Sequence, residues 1–263
     1  MKYTMEDLAF IKNNRAPQSK TTESMIGKIC VVSGATSGVG LEAVKQLAKG
    51  GAHIVMVARN LKKAENVKIL LHKDYSVSID IVIADFSDLE QVREAANLIV
   101  KQYPVIDLLV NSAGLHSTKR HLTKDGNELV FQANHIAPFL LTMLLLDSIK
   151  KSEQGRIIQV NSEGHRFGGL NINDLTWDKR PYIGLRAYGA SKTAQLMTVM
   201  YLAKELKETN VTINAMHPGG VRTNIGSNNG WLYRAWLHGV VWHFLKDPVI
   251  SGDALYYLSA SPK

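Results

Sequence analysis

Cysteine is nearly missing from this chain of 263 residues: Cys30 stands alone, inside the apolar run KICVV, where a buried and inert thiol is expected. One cysteine builds no disulfide framework, and a reducing, cytoplasmic setting fits best. No apolar run approaches the length of about eighteen residues that a membrane span needs, and the N-terminal MKYTMEDLAFIKNNR does not read as a signal peptide. Peripheral contact with an intracellular membrane stays open. Repeats and low-complexity tracts are lacking too. Acidic residues are the minority, 23 against 31 Lys and Arg, for a formal net charge of +8. Those cations are scattered, without a dense basic block or a recognised binding motif, which argues against a nucleic-acid partner. The charge suits a phosphate-bearing cofactor or an anionic surface equally well.

What the chain does have is a 45% apolar content, enough at this length for one sizeable core. Residues 1–27 read as an appendage, a short amphipathic helix followed by the polar NNRAPQSKTTES. From residue 28 to 263, short β-branched runs alternate with helical patterns: ICVVS, LEAVKQLAKG, HIVMVA, LKKAENVKILLH, SIDIVIAD, LEQVREAANLIVKQ, IDLLVNSAG. A long helix is expected from about 125 to 150, then RIIQV, the helix carrying AYGASK, VTINAMH, and a last helix opened by Pro248. Nearly unbroken apolar strands between helices predict an α/β fold, a single doubly wound Rossmann-type parallel sheet with helices on both faces. In such sheets ligands sit beyond the carboxyl ends of the strands, so function is sought there.

The first strand runs into SGATSGVG. Gly34, Gly38 and Gly40 give a tight turn, close backbone approach to a pyrophosphate and close helix packing, and the following helix N-terminus supplies N–H groups and positive dipole. Thr36, Ser37 and Val39 lie in the same turn. The second strand ends in Ala58–Arg59, with no acid to bind a ribose 2′-hydroxyl and an arginine suited to a 2′-phosphate, so NADP(H) is the expected cofactor. Asp85, after the third strand, can accept from an adenine amino group or cap the next helix, a role open to Ser87 as well. Asn111, Ala113 and Gly114, in NSAG, form a small-residue turn that a cofactor can approach.

Within AYGASK, Tyr188 and Lys192 are four residues apart and share a helix face. An ammonium beside a phenol favours the phenolate and lowers the tyrosine pKa, as proton transfer to or from an alcohol requires.

Taken together, SGATSGVG, NSAG, Asn134, Ser162, YGASK and HPGGVRT, in this order and each at its expected element, resemble the short-chain dehydrogenase/reductase family from about Gly27 to Pro262. Arg59, NSEGH and the insert between Ser162 and Tyr188 look most like the retinol dehydrogenase and carbonyl reductase branch. The resemblance implies that Tyr188 transfers the substrate proton, and that Lys192 tunes it and holds the nicotinamide ribose. By the same resemblance Ser162 hydrogen-bonds the carbonyl, and Asn134 holds a water that relays protons towards Lys192. The resemblance also implies that Pro218 and Gly219 shape the turn against the nicotinamide, with Val221 and Thr223 contacting its carboxamide. Ser33 and Ser112 replace the commoner threonine and asparagine and keep their hydrogen-bonding capacity.

No metal is expected, since His135, His165 and His217 lack ligand spacing. Residues 225–246 read as a substrate lid, with Trp231, Trp236 and Phe244 on an apolar stripe that suits core packing, a lipophilic pocket or a membrane. The expected activity is NADP(H)-dependent hydride transfer to and from a small hydrophobic carbonyl or alcohol, retinoid-, steroid- or lipid-aldehyde-like. The alternative is a non-catalytic NADP-binding sensor or scaffold. A homo-oligomer stays open.

Overall fold

In the computed structural model, residues 18–221, 225 and 245–262 are described. Six strands form one sheet: β1 Ile29–Ser33, β2 His53–Ala58, β3 Ile79–Ile83, β4 Leu108–Asn111, β5 Gly155–Val160 and β6 Val211–Met216. Their order is β3-β2-β1-β4-β5-β6, and every pairing is parallel. β1, β2 and β5 are buried along almost their whole length, as strands covered on both faces must be. The fold is thus the expected doubly wound α/β sheet, and the strand order reverses between β1 and β4.

The helices are α1 Gly38–Lys49, α2 Leu61–Tyr75, α3 Leu89–Gln102, α4 Ala137–Lys150, α5 Gly184–Glu205 and α6 Val249–Ala260. One core lies on each side of the sheet. Val31, Val55, Leu109 and Ile157 pack with Ile99 of α3 and Leu141 and Leu145 of α4, while Cys30, Ile54, Leu108 and Ile158 pack with Val44 and Leu47 of α1 and Leu255 of α6. Cys30 is fully buried, and burial drives its thiol pKa far up, as an inert side chain requires.

The expected helix from 125 to 150 is broken at its start. Thr123 and Asn127 close a turn through Gly126, and Glu128 caps a helical turn, Leu129–Phe131, by accepting from Val130 N and Phe131 N. A π-helical turn, Gln132–Ile136, follows before α4 begins with Pro138 near its N-terminus. The stretch Leu129–Lys150 is apolar and long enough to cross a membrane, yet most of it is buried inside the protein.

Residues 18–27 lie on the body of the domain. Met25 is buried, its N–H donates to Gly50 O at 2.8 Å, and Lys20 pairs with Asp253 of α6 at 3.1 Å. The first seventeen residues lie outside the described part.

Candidate active site

A cleft of about 560 Å³ opens at the carboxyl ends of the strands, across the reversal between β1 and β4. Its floor is set by close approach of two chain turns. Gly34 has φ +67°, and a Cβ there would lie 2.8 Å from Ala113. A Cβ on Gly40 would sit on the Gly34 carbonyl, so α1 can pack this tightly on β1 only through glycine. Ser33 ties the two turns together, its Oγ accepting from Ser112 N and Ala113 N, both at 3.2 Å.

The start of α1 is prepared for an anion. Its N-cap, Ser37, makes no side-chain capping bond and no acid occupies the first turn, whereas α2 and α3 are capped by Asn60 and Asp88. The N–H groups of that turn therefore face the cleft without a side-chain partner. Thr36, Gly38 and Val39 line it alongside Ser37. At the far rim stand two cations, Arg59 and Lys63, both exposed, and neither side chain has a hydrogen-bond or ion-pair partner among the described residues. Asp85 also lines the cleft. Its Oδ1 accepts from Ser87 N and Oγ at 2.9 and 2.8 Å, while the cap of α3 is Asp88 rather than Asp85 or Ser87.

At the other end lie Ser162, Tyr188 and Lys192. The Tyr188 ring is held between Gly164, whose added Cβ would meet Tyr188 Cε1 at 2.5 Å, and the ring of His116, edge-on at 5.9 Å. Ser162 Oγ accepts from Gly164 N at 3.0 Å, and the Ser162 and Tyr188 side chains line this end of the cleft together. Burial raises the Tyr188 pKa, and the Ser162 side chain opposes the rise. The lowering expected from Lys192 is therefore not what the protein alone displays. Lys192 sits 5.8 Å from the Tyr188 ring centre, its ammonium donating to Val160 O at 2.9 Å and Gln195 Oε1 at 3.2 Å. Burial pulls its own pKa down to about 8.

Asn134 is fully buried in the π-helical turn. Its Oδ1 accepts from Leu115 N at 2.8 Å, and its Nδ2 donates to Leu115 O and Ser191 Oγ, both at 3.0 Å. Its side chain thus spends its bonds on the wall of the cleft. The link to Lys192 runs through Gln195, whose Nε2 donates to Asn134 O at 3.1 Å and whose Oε1 receives Lys192. Sequence reasoning missed Gln195, although it lies three residues from Lys192 on one helix, and missed Lys63, four residues after Arg59. Asn111 is buried and donates to Thr142 Oγ1 of α4 at 2.9 Å, so its side chain lies on the helix side of the sheet, whereas Ala113 and Gly114 line the cleft.

Pro218, Gly219 and Val221 line the cleft as well, with His217 and Ile225. Thr223, Trp231, Trp236 and Phe244, and with them nearly all of the expected lid, lie outside the described residues. His165 Nδ1 bonds Ser162 O at 2.8 Å, and His135 packs edge-on to Phe131 at 5.1 Å. The insert between Ser162 and Tyr188 is stitched to the chain that follows His116: Arg120 Nε donates to Thr176 O at 2.7 Å, and Tyr182 donates to Glu128 Oε1 at 3.1 Å.

The sequence profile of the short chain dehydrogenases matches residues 28–230. The chain belongs to the short-chain dehydrogenase family. It is 32% identical to human retinol dehydrogenase 13 over 89% of this chain and 72% of that protein, and 32% identical to human retinol dehydrogenase 14 over 91% and 76%. Mouse retinol dehydrogenase 12 is 35% identical over 82% and 68%. This short-chain dehydrogenase therefore sits on a retinol dehydrogenase-like branch. Among solved structures, a short chain dehydrogenase from Shigella flexneri complexed with NADP matches with a TM-score of 0.73 at 25% identity, over 92% of this chain and 94% of that one.

Proposed function

We propose that this short-chain dehydrogenase is an NADP(H)-dependent oxidoreductase acting on a hydrophobic alcohol/carbonyl couple of retinoid, steroid or lipid-aldehyde type. One observation carries the reading: the glycine turn, the cations Arg59 and Lys63, and the Ser162–Tyr188–Lys192 group all face one cleft. The cradle at Gly34 and Gly40 and the α1 N-terminus fit a pyrophosphate, and the two exposed cations fit a 2′-phosphate better than a bare hydroxyl. Asp85 keeps Oδ2 for an adenine amino group. The NADP of the Shigella relative and the names of the retinol dehydrogenase relatives support the same cofactor and substrate class.

When bound, the cofactor supplies or accepts the hydride. In the reducing direction Tyr188 is the general acid. Burial keeps its phenol protonated at neutral pH, ready to give the proton to the substrate oxygen. Ser162 holds that oxygen and steadies the charge developing on it. With a pKa near 8, Lys192 is mostly charged at pH 7, and its field stabilises the phenolate left by proton transfer. Gln195 and the Val160 carbonyl fix its position. Asn134 holds Leu115 in the wall, and through its carbonyl and Gln195 it connects the π-helical turn to Lys192. Leu115, Ile225 and Leu245 give this end of the cleft apolar lining suited to a lipophilic substrate.

The test is to follow loss of nicotinamide absorbance with retinaldehyde and other lipophilic aldehydes and ketones, supplying NADPH or NADH. Turnover with NADPH and little with NADH is expected. Tight NADPH binding with no turnover in either direction across the series would favour a sensor over an enzyme.

A further inference from the structure

The wall of the cleft at its nicotinamide end hangs on a helix outside the cleft. The turn after β6 carries Pro218, Gly219, Gly220 and Val221, of which Gly219 has φ +83° and open space where a Cβ would stand. Little in the turn itself fixes its shape. Two bonds hold it from behind. Lys246 N donates to Gly220 O at 2.8 Å, and Ser251 Oγ donates to Pro218 O at 3.0 Å.

Ser251 is only 1% exposed, in the first turn of α6, and that helix is itself a fixed post. Next to it, Gly252 packs on α1, where a Cβ would lie 2.8 Å from Glu42 O. At the far end the buried Arg156 guanidinium donates to Leu258 O at 2.9 Å and Ser261 O at 2.6 Å. Along the outside runs the segment from residue 18. Gln18 Nε2 donates to Ile250 O at 2.9 Å, Lys20 pairs with Asp253 at 3.1 Å, and the Tyr256 hydroxyl donates to Glu23 O. A helix tied to α1, to β5 and to the N-terminal segment cannot drift, so a hydroxyl on its inner face is a rigid hook.

We infer that Ser251 is a positioning residue for the nicotinamide half of the cofactor, holding the Pro218–Val221 turn in the shape that receives it. The inference rests on the reading that the cleft takes NADP(H). Without the hook the turn samples other shapes, and the apparent dissociation constant rises as the competent fraction falls. The adenosine half is held elsewhere, by the α1 N-terminus, Arg59, Lys63 and Asp85, none of which touches Ser251.

Calorimetric titration of wild type and Ser251→Ala with NADPH and with 2′,5′-ADP separates the two halves, because 2′,5′-ADP has no nicotinamide. The variant is expected to bind NADPH about five- to tenfold more weakly, the scale of one lost buried hydrogen bond. Its affinity for 2′,5′-ADP should stay within about twofold of wild type by the same arithmetic, with an unchanged far-ultraviolet spectrum. Unaltered NADPH affinity overturns the inference, and so does equal weakening of both ligands, which marks a general structural role. A wild-type protein that binds neither ligand overturns the cofactor reading itself, an outcome distinct from a failure of Ser251 alone.

Discussion

Replacing Lys192 with methionine should abolish turnover while making the protein more stable at neutral pH. The ammonium is fully buried, and burial holds its pKa at about 8 instead of the ordinary 10.5. At about 1.4 kcal/mol per pKa unit, keeping that charge in the fold at pH 7 costs about 3 kcal/mol relative to an exposed lysine. Methionine has a similar length, fills the same space and removes this cost. It also deprives the Val160 carbonyl of its donor, a loss of about 2 kcal/mol for a buried acceptor. Gln195 Oε1 is less affected, because Asn161 Nδ2 still donates to it at 3.2 Å. The net expectation is a gain of about 1 kcal/mol at pH 7. The sign then changes with pH. The folded pKa lies below the unfolded one, so between about pH 8 and 10.5 the unfolded chain carries the extra proton and wild-type stability climbs as pH rises. The methionine variant lacks this climb, so its advantage should shrink above pH 8 and reverse before 10.5. Urea unfolding of both proteins by circular dichroism at several pH values from 7 to 10 measures the difference, in which the other titrating groups cancel. A difference that stays flat across that range would show that Lys192 titrates like an exposed lysine, and the reasoning would fail.

Three further outcomes follow from the same geometry. Arg59→Ser should weaken NADPH by about 10- to 100-fold, the value of a charge-assisted phosphate contact, with NADH changed by less than about threefold in a fluorescence titration. Gly40→Ala places a methyl on the Gly34 carbonyl, so α1 must move off β1; thermal unfolding should show a loss of at least about 2 kcal/mol, and NADPH affinity should fall with it. Asn134→Ala strands Leu115 N and O, while Ser191 Oγ keeps its bond to Tyr188 O, and should cost about 3 kcal/mol in urea unfolding. A near-neutral effect there would show that the amide serves something other than the wall.

Much of the fold was legible because parallel strands covered on both faces announce themselves as apolar runs, as β1, β2 and β5 do. The glycine turn was legible for a related reason: only glycine permits the approach of Gly34 to Ala113 and of Gly40 to Gly34. Hidden from the sequence were the features decided by tertiary contacts. The helix expected from residue 125 gives way to a turn at Gly126 and a π-helical turn, because Glu128 and Gln132 spend their polar groups on neighbouring N–H groups and loops that local propensity cannot see. Asp85 and Ser87 looked like caps for α3, yet they bond each other and leave Asp88 to do it. Asn111 sat in a promising motif, but its side chain falls on the side of α4. The opposed pKa shifts of Tyr188 and Lys192 both come from burial, which a four-residue spacing does not report.

The most direct test of the central claim is to compare wild type with Tyr188→Phe, both loaded with NADPH and offered one lipophilic aldehyde that the native protein reduces. The account predicts that the variant, which keeps the ring between Gly164 and His116 but loses the hydroxyl, binds NADPH as wild type does and reduces the aldehyde at least about 100-fold more slowly, the usual contribution of a general acid. A variant that turns over at close to the native rate would contradict the assignment of Tyr188 as the proton donor, and with it the reading of this cleft as the site of the reaction.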